Sequence, residues 1–268
     1  MSGKVEPLVN DLDLQIYTGN CLDVMRGMDA GAADACVTSP PYLDARPEYP
    51  SPSLEEFSLI FGELRRVVAG PMLLNVGRLW RKRKELLWWV ELLDTCAAAG
   101  WDLCDTLVWC KLNANAIQGE VLINSHEMIF LLGDPDSFNT DGVRTPYSEE
   151  SLARMGRKFL HGNGVKGGTR PSDGRTPNPL GARPRSVIAT YTGKEKGNPH
   201  PAPMALDLAN HLVQLAVPAG GTIIDPFGGS GNTAIAARAH GRKAILIELS
   251  PEYAQLAASR LSQQSLLA

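Results

Sequence analysis

No stretch of this chain approaches the ~18 consecutive apolar residues that a membrane-spanning helix needs, so no membrane partner is expected. The first residues, Met1 to Asp13, also lack the basic-then-apolar pattern of an export signal. Cysteine is scarce, with five in 268 residues. An odd count without framework spacing points to reduced thiols and a cytoplasmic setting. Cys96, Cys104 and Cys110 form no C-x-x-C clip, so no zinc site is expected. All five cysteines read as small buried or half-buried side chains. Net charge is nearly absent at −3, which argues against a general nucleic-acid binder. Internal repeats are absent too. What the chain has is length: 268 residues bury a sizeable core as one large domain, or one domain plus an insertion.

The small net charge hides an uneven distribution. Between Ser151 and Lys196 lie ten basic residues: Arg154, Arg157, Lys158, Lys166, Arg170, Arg175, Arg183, Arg185, Lys194 and Lys196. Only Asp173 and Glu195 oppose them, so the segment carries +8 and the rest of the chain −11. A basic segment on an acidic body suits a polyanion; a solvated loop is the other reading.

Apolar periodicity predicts alternating strands and helices up to about residue 133. Ile16 to Cys21 starts strand-like and turns at Thr18-Gly19-Asn20, before a helical Leu22 to Met28. Ala33 to Thr38 reads as a short buried strand that ends at a Pro-Pro turn. Prolines 47, 50 and 52 keep Asp44 to Ser53 irregular. Ser53 then caps a helix, with Glu56 three residues on and Leu54, Phe57, Ile60, Phe61, Leu64 and Val68 on one face. Met72 to Val76, Asp102 to Lys111 and Ile129 to Leu132 read as strands, and Leu86 to Ala99 as a helix. From Asp134 to Lys196 the pattern stops in Gly, Pro, Arg, Ser and Thr, apart from a helical stretch near Glu149 to Leu160. It resumes with a helix Pro203 to Ala216, a strand Thr222 to Ile224, a helix Asn232 to His240, a strand Ala244 to Ile247 and a helix Pro251 to Leu261. The alternation predicts an α/β fold with a largely parallel sheet and helices on both faces.

Two motifs at opposite ends of the chain carry the chemistry. Asp225-Pro226-Phe227-Gly228-Gly229-Ser230-Gly231-Asn232-Thr233 follows a strand and opens a helix. Its glycines admit positive φ and close backbone approach to a ligand, at the strand edge where open α/β folds bind. Ile245-Leu246-Ile247-Glu248 ends the next strand in an acid, suited to ribose hydroxyls. Alone, the turn is also compatible with a purely structural role, or with a nicotinamide dehydrogenase. It departs, however, from Gly-x-Gly-x-x-Gly. The other motif is Thr38-Ser39-Pro40-Pro41-Tyr42. Ser39 Oγ and the Pro40 carbonyl are acceptors for amine hydrogens, held by two prolines of fixed φ. Tyr42 offers a flat face to a planar ring.

Together, in this order, the motifs resemble the amino-methyltransferases of DNA, and the late cofactor turn matches their circularly permuted beta class. The resemblance covers residues 14–134 and 186–262. It implies a Rossmann-like methyltransferase fold, circularly permuted and doubly wound, with an inserted target-recognition region. Residues 1–133 would be the catalytic half, 134–196 the insertion and 197–268 the cofactor half. It implies S-adenosyl-L-methionine as cofactor, with Asp225 facing the methionine amino group, Phe227 near the sulfonium and Glu248 on the ribose. His200 and Pro201 match the element before the cofactor helix. Ile16 to Leu22 resembles an element that touches adenine, with Asn20 in place of the usual Asp. Trp109-Cys110-Lys111 and His126-Glu127 match further strand ends, where Trp109 and His126 read as packing residues.

The implied substrate is a cytosine or adenine flipped out of double-stranded DNA. In the family, Ser at position 39 accompanies N4-cytosine enzymes and Asp most N6-adenine enzymes, so N4-methylation is favoured over N6. A degenerate DNA-binding protein of the same fold is a further alternative. Arg46, Arg154, Arg157, Lys158, Lys166, Arg170, Arg175, Arg183 and Arg185 are the candidate DNA contacts, to phosphates or base edges. The resemblance leaves open a companion restriction endonuclease and a homodimer.

Overall fold

The computed structural model describes residues 5–42, 51–115, 121–155, 178–192 and 198–265. The chain opens with β1 (Val9–Asn10), β2 (Leu14–Thr18), α1 (Cys21–Arg26) and β3 (Ala35–Thr38). Next come α2 (Leu54–Val67), β4 (Met72–Val76), a short hairpin of β5 (Leu79–Arg81) and β6 (Lys84–Leu86), and α3 (Trp88–Ala98). β7 (Leu103–Lys111), β8 (His126–Leu132), α4 (Glu149–Met155) and β9 (Val187–Thr190) follow. The chain closes with α5 (Leu206–Ala216), β10 (Thr222–Asp225), α6 (Asn232–Ala239), β11 (Lys243–Glu248) and α7 (Pro251–Ser265).

Local chemistry accounts for the main elements. β3 and β4 are buried at every residue, as expected of apolar runs in a sheet covered on both faces. α2 begins with the expected capping box: Ser53 Oγ accepts from the Glu56 N–H at 3.2 Å, and Glu56 Oε2 accepts from the Ser53 N–H at 2.8 Å. Its buried face is Phe57, Ile60, Phe61, Leu64 and Val67, whereas Val68 has already left the helix in extended geometry. α5 starts at Leu206, later than the expected Pro203, with Ala205 extended at its N-cap. β8 begins at His126, three residues before the expected Ile129.

Nine strands form one sheet in the order β1-β2-β11-β10-β3-β4-β8-β7-β9. From β2 to β4 all neighbours run parallel; β8 is antiparallel to both β4 and β7, and β9 returns parallel to β7. The sheet is therefore mostly parallel, as expected. On one face Cys36, Met72, Leu74, Ile224 and Ile247 pack with α1, α2 and α3 in a single core. The alternate residues Val37, Leu73, Ile223 and Leu246 are just as buried and must face the other way, where α5 touches β3 and β4 and α6 touches β10 and β11. This is a Rossmann-like, doubly wound architecture.

By contacts, residues Met1–Asn139 and Arg185–Ala268 form one compact unit and Thr140–Pro184 another. β9, which falls inside the expected insertion 134–196, pairs with β7 and so belongs to the sheet. The smaller unit is Thr140–Pro184. Within it, Arg144 reaches Asp141 at 2.5 Å and the Gly181 carbonyl at 3.0 Å, and the Asn178 N–H donates to Tyr147 Oη at 3.1 Å.

Candidate active site

β10 and β3 are neighbours in the sheet and run parallel, so both motifs emerge at the same carboxyl edge. One buried hydrogen bond joins them directly: Thr38 Oγ1 donates to Asp225 Oδ1 at 2.7 Å. Ligands of open parallel sheets bind at such an edge. Here it opens into a cleft of about 860 Å³. Ser39, Pro40, Pro41 and Tyr42 line it together with Asn20, His200, Pro201, Asp225, Pro226, Phe227, Gly228, Gly229, Ser230, Asn232, Thr233 and Glu248.

Gly231, expected among the cofactor contacts, does not line the cleft. Its φ is +85° and a Cβ there would stand 3.0 Å from Ala257 Cβ, so its smallness serves packing against α7. Gly229, at φ +52°, lies under His200: an added Cβ would meet Nε2 at 3.0 Å. The turn is cross-tied. Gly229 N–H donates to Glu248 Oε2 at 2.7 Å, Ser250 N–H to Glu248 Oε1 at 2.9 Å, and Asn198 Nδ2 to Ser230 Oγ at 3.0 Å. Asn232 Nδ2 donates to the Met204 carbonyl at 2.7 Å, and Arg260 donates to Asn232 Oδ1 at 2.8 Å and to the Ser230 carbonyl.

Asp225 also accepts from Thr233 Oγ1 at 2.7 Å and from the Phe227 N–H at 3.1 Å. Burial nevertheless raises its pKa, against the effect of those donors. Burial raises Glu248 too, opposed by its backbone donors. An ionised carboxylate has about four acceptor positions, so each keeps acceptor capacity for a ligand. Asn20 caps α1, its Oδ1 accepting from the Leu22 N–H at 2.9 Å. Phe227 sits edge-on to Phe57 with centroids 6.3 Å apart, and His200 edge-on to Tyr253 at 4.7 Å.

The other end of the cleft holds a polar network that the motifs alone did not reveal. Asn75 Nδ2 donates to Ser39 Oγ at 3.3 Å and to Glu127 Oε2 at 2.9 Å. Tyr42 Oη donates to the same Glu127 oxygen at 3.2 Å, and Lys111 Nζ pairs with Glu127 Oε1 at 2.5 Å. Burial first, then the Glu127 charge, raises the Tyr42 pKa well above the ordinary phenol value, which keeps it a donor. Tyr42 packs against Trp88, with centroids 5.5 Å apart. Gly77 sits so close that a Cβ there would fall 2.3 Å from the tyrosine ring. Trp109, read as a packing residue, is buried and also lines the cleft, its indole N–H donating to Thr190 Oγ1 at 2.8 Å. The signal for Asn75 was available: it is a polar residue inside the apolar run Met72 to Val76, and buried polar groups are informative.

Of the candidate DNA contacts, Arg183 and Arg185 are exposed. Arg154 lies on α4. Arg46, Arg157, Lys158, Lys166, Arg170 and Arg175 lie outside the described residues. Among the cysteines, Cys21, Cys36 and Cys96 are buried, and burial pushes their thiols up, Cys21 to about 12.

A mostly parallel doubly wound sheet, a glycine turn tied to a strand-end acid and a neighbouring acceptor-bearing Pro-Pro turn define the methyltransferase class of this fold. Solved structures agree on the fold. The PvuII cytosine-N4-specific DNA methyltransferase superposes with a TM-score of 0.68 at 16% identity, covering 96% of this chain and 89% of that one. A protein of Thermus thermophilus described as a DNA modification methylase, complexed with S-adenosyl-L-methionine, gives 0.60 at 23% identity, covering 94% and 95%. The sequence model of the N6/N4 DNA methylase family matches residues 33–259, and the chain belongs to that family. Similar curated proteins include the Type II methyltransferase M.ScaI of Streptomyces caespitosus, 23% identical over 97% of this chain and 85% of its own length. M.XycI of Xanthomonas campestris pv. cyanopsidis is 25% identical over 93% and 88%.

Proposed function

We propose that this DNA methylase transfers a methyl group to the exocyclic N4 of a cytosine flipped out of double-stranded DNA. The methyl donor is S-adenosyl-L-methionine, which supplies an electrophilic methyl group on sulfonium. The observation that carries the reading is the Thr38–Asp225 hydrogen bond, which sets the acceptor turn and the cofactor turn at one cleft. The residues present fit the donor. The cleft volume lies within the roughly 300–1,000 Å³ usual for ligand sites, and it is lined by glycines, an aromatic ring and two buried acids. Asp225 and Glu248 would hold its amino and ribose groups, and Phe227 would flank the sulfonium.

An exocyclic amine is a poor nucleophile because its lone pair is delocalised into the ring. Ser39 Oγ takes one hydrogen bond from Asn75 and keeps a second lone pair for an amine hydrogen. The Pro40 carbonyl is the second acceptor. Holding both hydrogens favours a more tetrahedral nitrogen, and orientation supplies much of the rate. Ser39, rather than an aspartate, supports cytosine over adenine. The order of the motifs along the chain supports the beta class. The basic segment from 151 to 196 would read the target sequence, as part of a restriction-modification system with a companion endonuclease.

Nucleoside mass spectrometry of DNA from cells expressing the chain is expected to show N4-methylcytosine; N6-methyladenine alone would establish the adenine reading. Ser39→Ala is expected to cut methyl transfer far more than cofactor affinity. Equal losses would place the Pro-Pro turn in the cofactor site.

A further inference from the structure

The β5–β6 hairpin lies outside both motifs and outside the arginine-rich segment. It leaves the carboxyl end of β4, the same sheet edge that carries Ser39 and Asp225. Residues 78–85 read Arg-Leu-Trp-Arg-Lys-Arg-Lys-Glu, a net +4 in eight residues on a chain of net −3. Arg81, Lys82, Arg83 and Lys84 are all exposed.

Its root is held firmly. Arg78 makes a two-pronged pair with Glu85 at 2.7 and 2.6 Å and stacks over Trp80 at 4.8 Å. Behind it, Trp88 donates to the Gly77 carbonyl at 3.1 Å, and Gly77 abuts the Tyr42 ring. Arg78, Trp80 and Arg83 line the same cleft as Ser39 and Tyr42.

The tip is chemically odd. Arg81 pairs with Lys84, leaving a two-residue loop of Lys82 and Arg83 with φ of +50° and +64°. Two consecutive left-handed residues are what a type I′ turn requires, and Asn-Gly is the sequence that meets this without strain. Long basic side chains at both positions are a local cost, and such costs gather at functional sites. Here the gain is four exposed cations on one hairpin, of which Arg83 lines the cleft that admits a base.

We propose that the β5–β6 hairpin is a second DNA contact, in which Arg81, Lys82, Arg83 and Lys84 hold the phosphodiester backbone beside the nucleotide that enters the cleft. The proposal rests on the DNA-methylation reading. Phosphates are the matching partner by charge, and the rim is where the backbone must pass if the base is to reach Ser39. Such contacts position the duplex without reading its sequence.

The test is the double substitution Lys82→Asn with Arg83→Gly in the full chain. It removes two charges and installs the preferred turn, so the fold is kept or strengthened. Affinity for a short duplex methylated by the wild type is measured across salt concentrations. Each phosphate contact contributes about 0.9 to the log–log slope, so the variant should bind more weakly with a slope shallower by about 2. Thermal unfolding should occur at the same temperature or higher, and methylation should keep its sequence preference. A slope equal to that of the wild type overturns the hairpin contact while leaving the methylation reading intact. A wild-type protein that neither binds nor methylates DNA overturns both.

Discussion

Asp225 and Glu248 end neighbouring strands with their carboxylates buried, and at each the burial outweighs the hydrogen bonds that favour the charge. Each therefore ionises at a cost in the free protein. The stability that such a raised group contributes is full below its unfolded pKa and is lost as pH rises through the folded value. A cationic ligand favours the ionised carboxylates and lowers their pKa values, so binding releases protons. S-adenosylmethionine affinity should then rise with pH through the window just above the ordinary carboxylate range, and level off beyond it. Calorimetry in buffers of different ionisation enthalpy counts the protons. Proton uptake, or an affinity flat across that window, would show that neither acid faces the ligand. Glu248→Ala is a poorer probe, because it also unlatches the Gly229 and Ser250 N–H groups.

At the scale of elements, α2 shows how a helix end sets a site from a distance. Ser53 and Glu56 close its first turn, and Phe57 one residue later meets Phe227 of the glycine turn. Ser53→Ala should cost about 1 kcal/mol, within the roughly 0.5–2 kcal/mol seen for lost caps. Chemical denaturation measures it; a change below about 0.3 kcal/mol would mean that water replaces the cap fully. Elements differed in legibility. β3, β4, β10 and β11 announce themselves as short apolar runs because both their faces are covered. β5, β6 and β9 are three or four residues long. Period-2 alternation cannot show over so few residues, and β9 is further hidden in a segment rich in arginine and proline.

At the scale of the molecule, the sheet interleaves the two ends of the chain. β11 and β10 lie between β2 and β3, so the N-terminal strands lack a continuous sheet until the C-terminal ones arrive. The Thr38–Asp225 hydrogen bond spans 187 residues of sequence at the centre of that join. It has a buried, charge-bearing acceptor, for which a net contribution of about 1.5–3 kcal/mol is usual. Thr38→Val should destabilise the fold by that amount in urea unfolding and weaken S-adenosylmethionine binding, because Asp225 loses a donor. A variant as stable as the wild type, with unchanged cofactor affinity, would show that Phe227 and Thr233 suffice to hold the acid.

The sequence by itself determined the chemistry on offer. A glycine turn after a strand, an acid ending the next strand and a serine before two prolines are local patterns, set by φ preference, backbone approach and strand-end exposure. The capping box at Ser53 is equally local, since its partners are three residues apart. Only the tertiary structure decided what these patterns face. Glu127 and Lys111 come from β8 and β7, yet they meet Asn75 and Tyr42 because β4 pairs with β8, with Val76 opposite Met128, the residue just after Glu127. Gly231 reads like its neighbours in the motif but packs against α7, which is visible only once α7 lies there. The basic hairpin was countable in the sequence, but its place beside Ser39 depends on β3 and β4 being parallel neighbours. Spacing along a chain records local geometry, whereas strand order and register choose which distant side chains share a cleft.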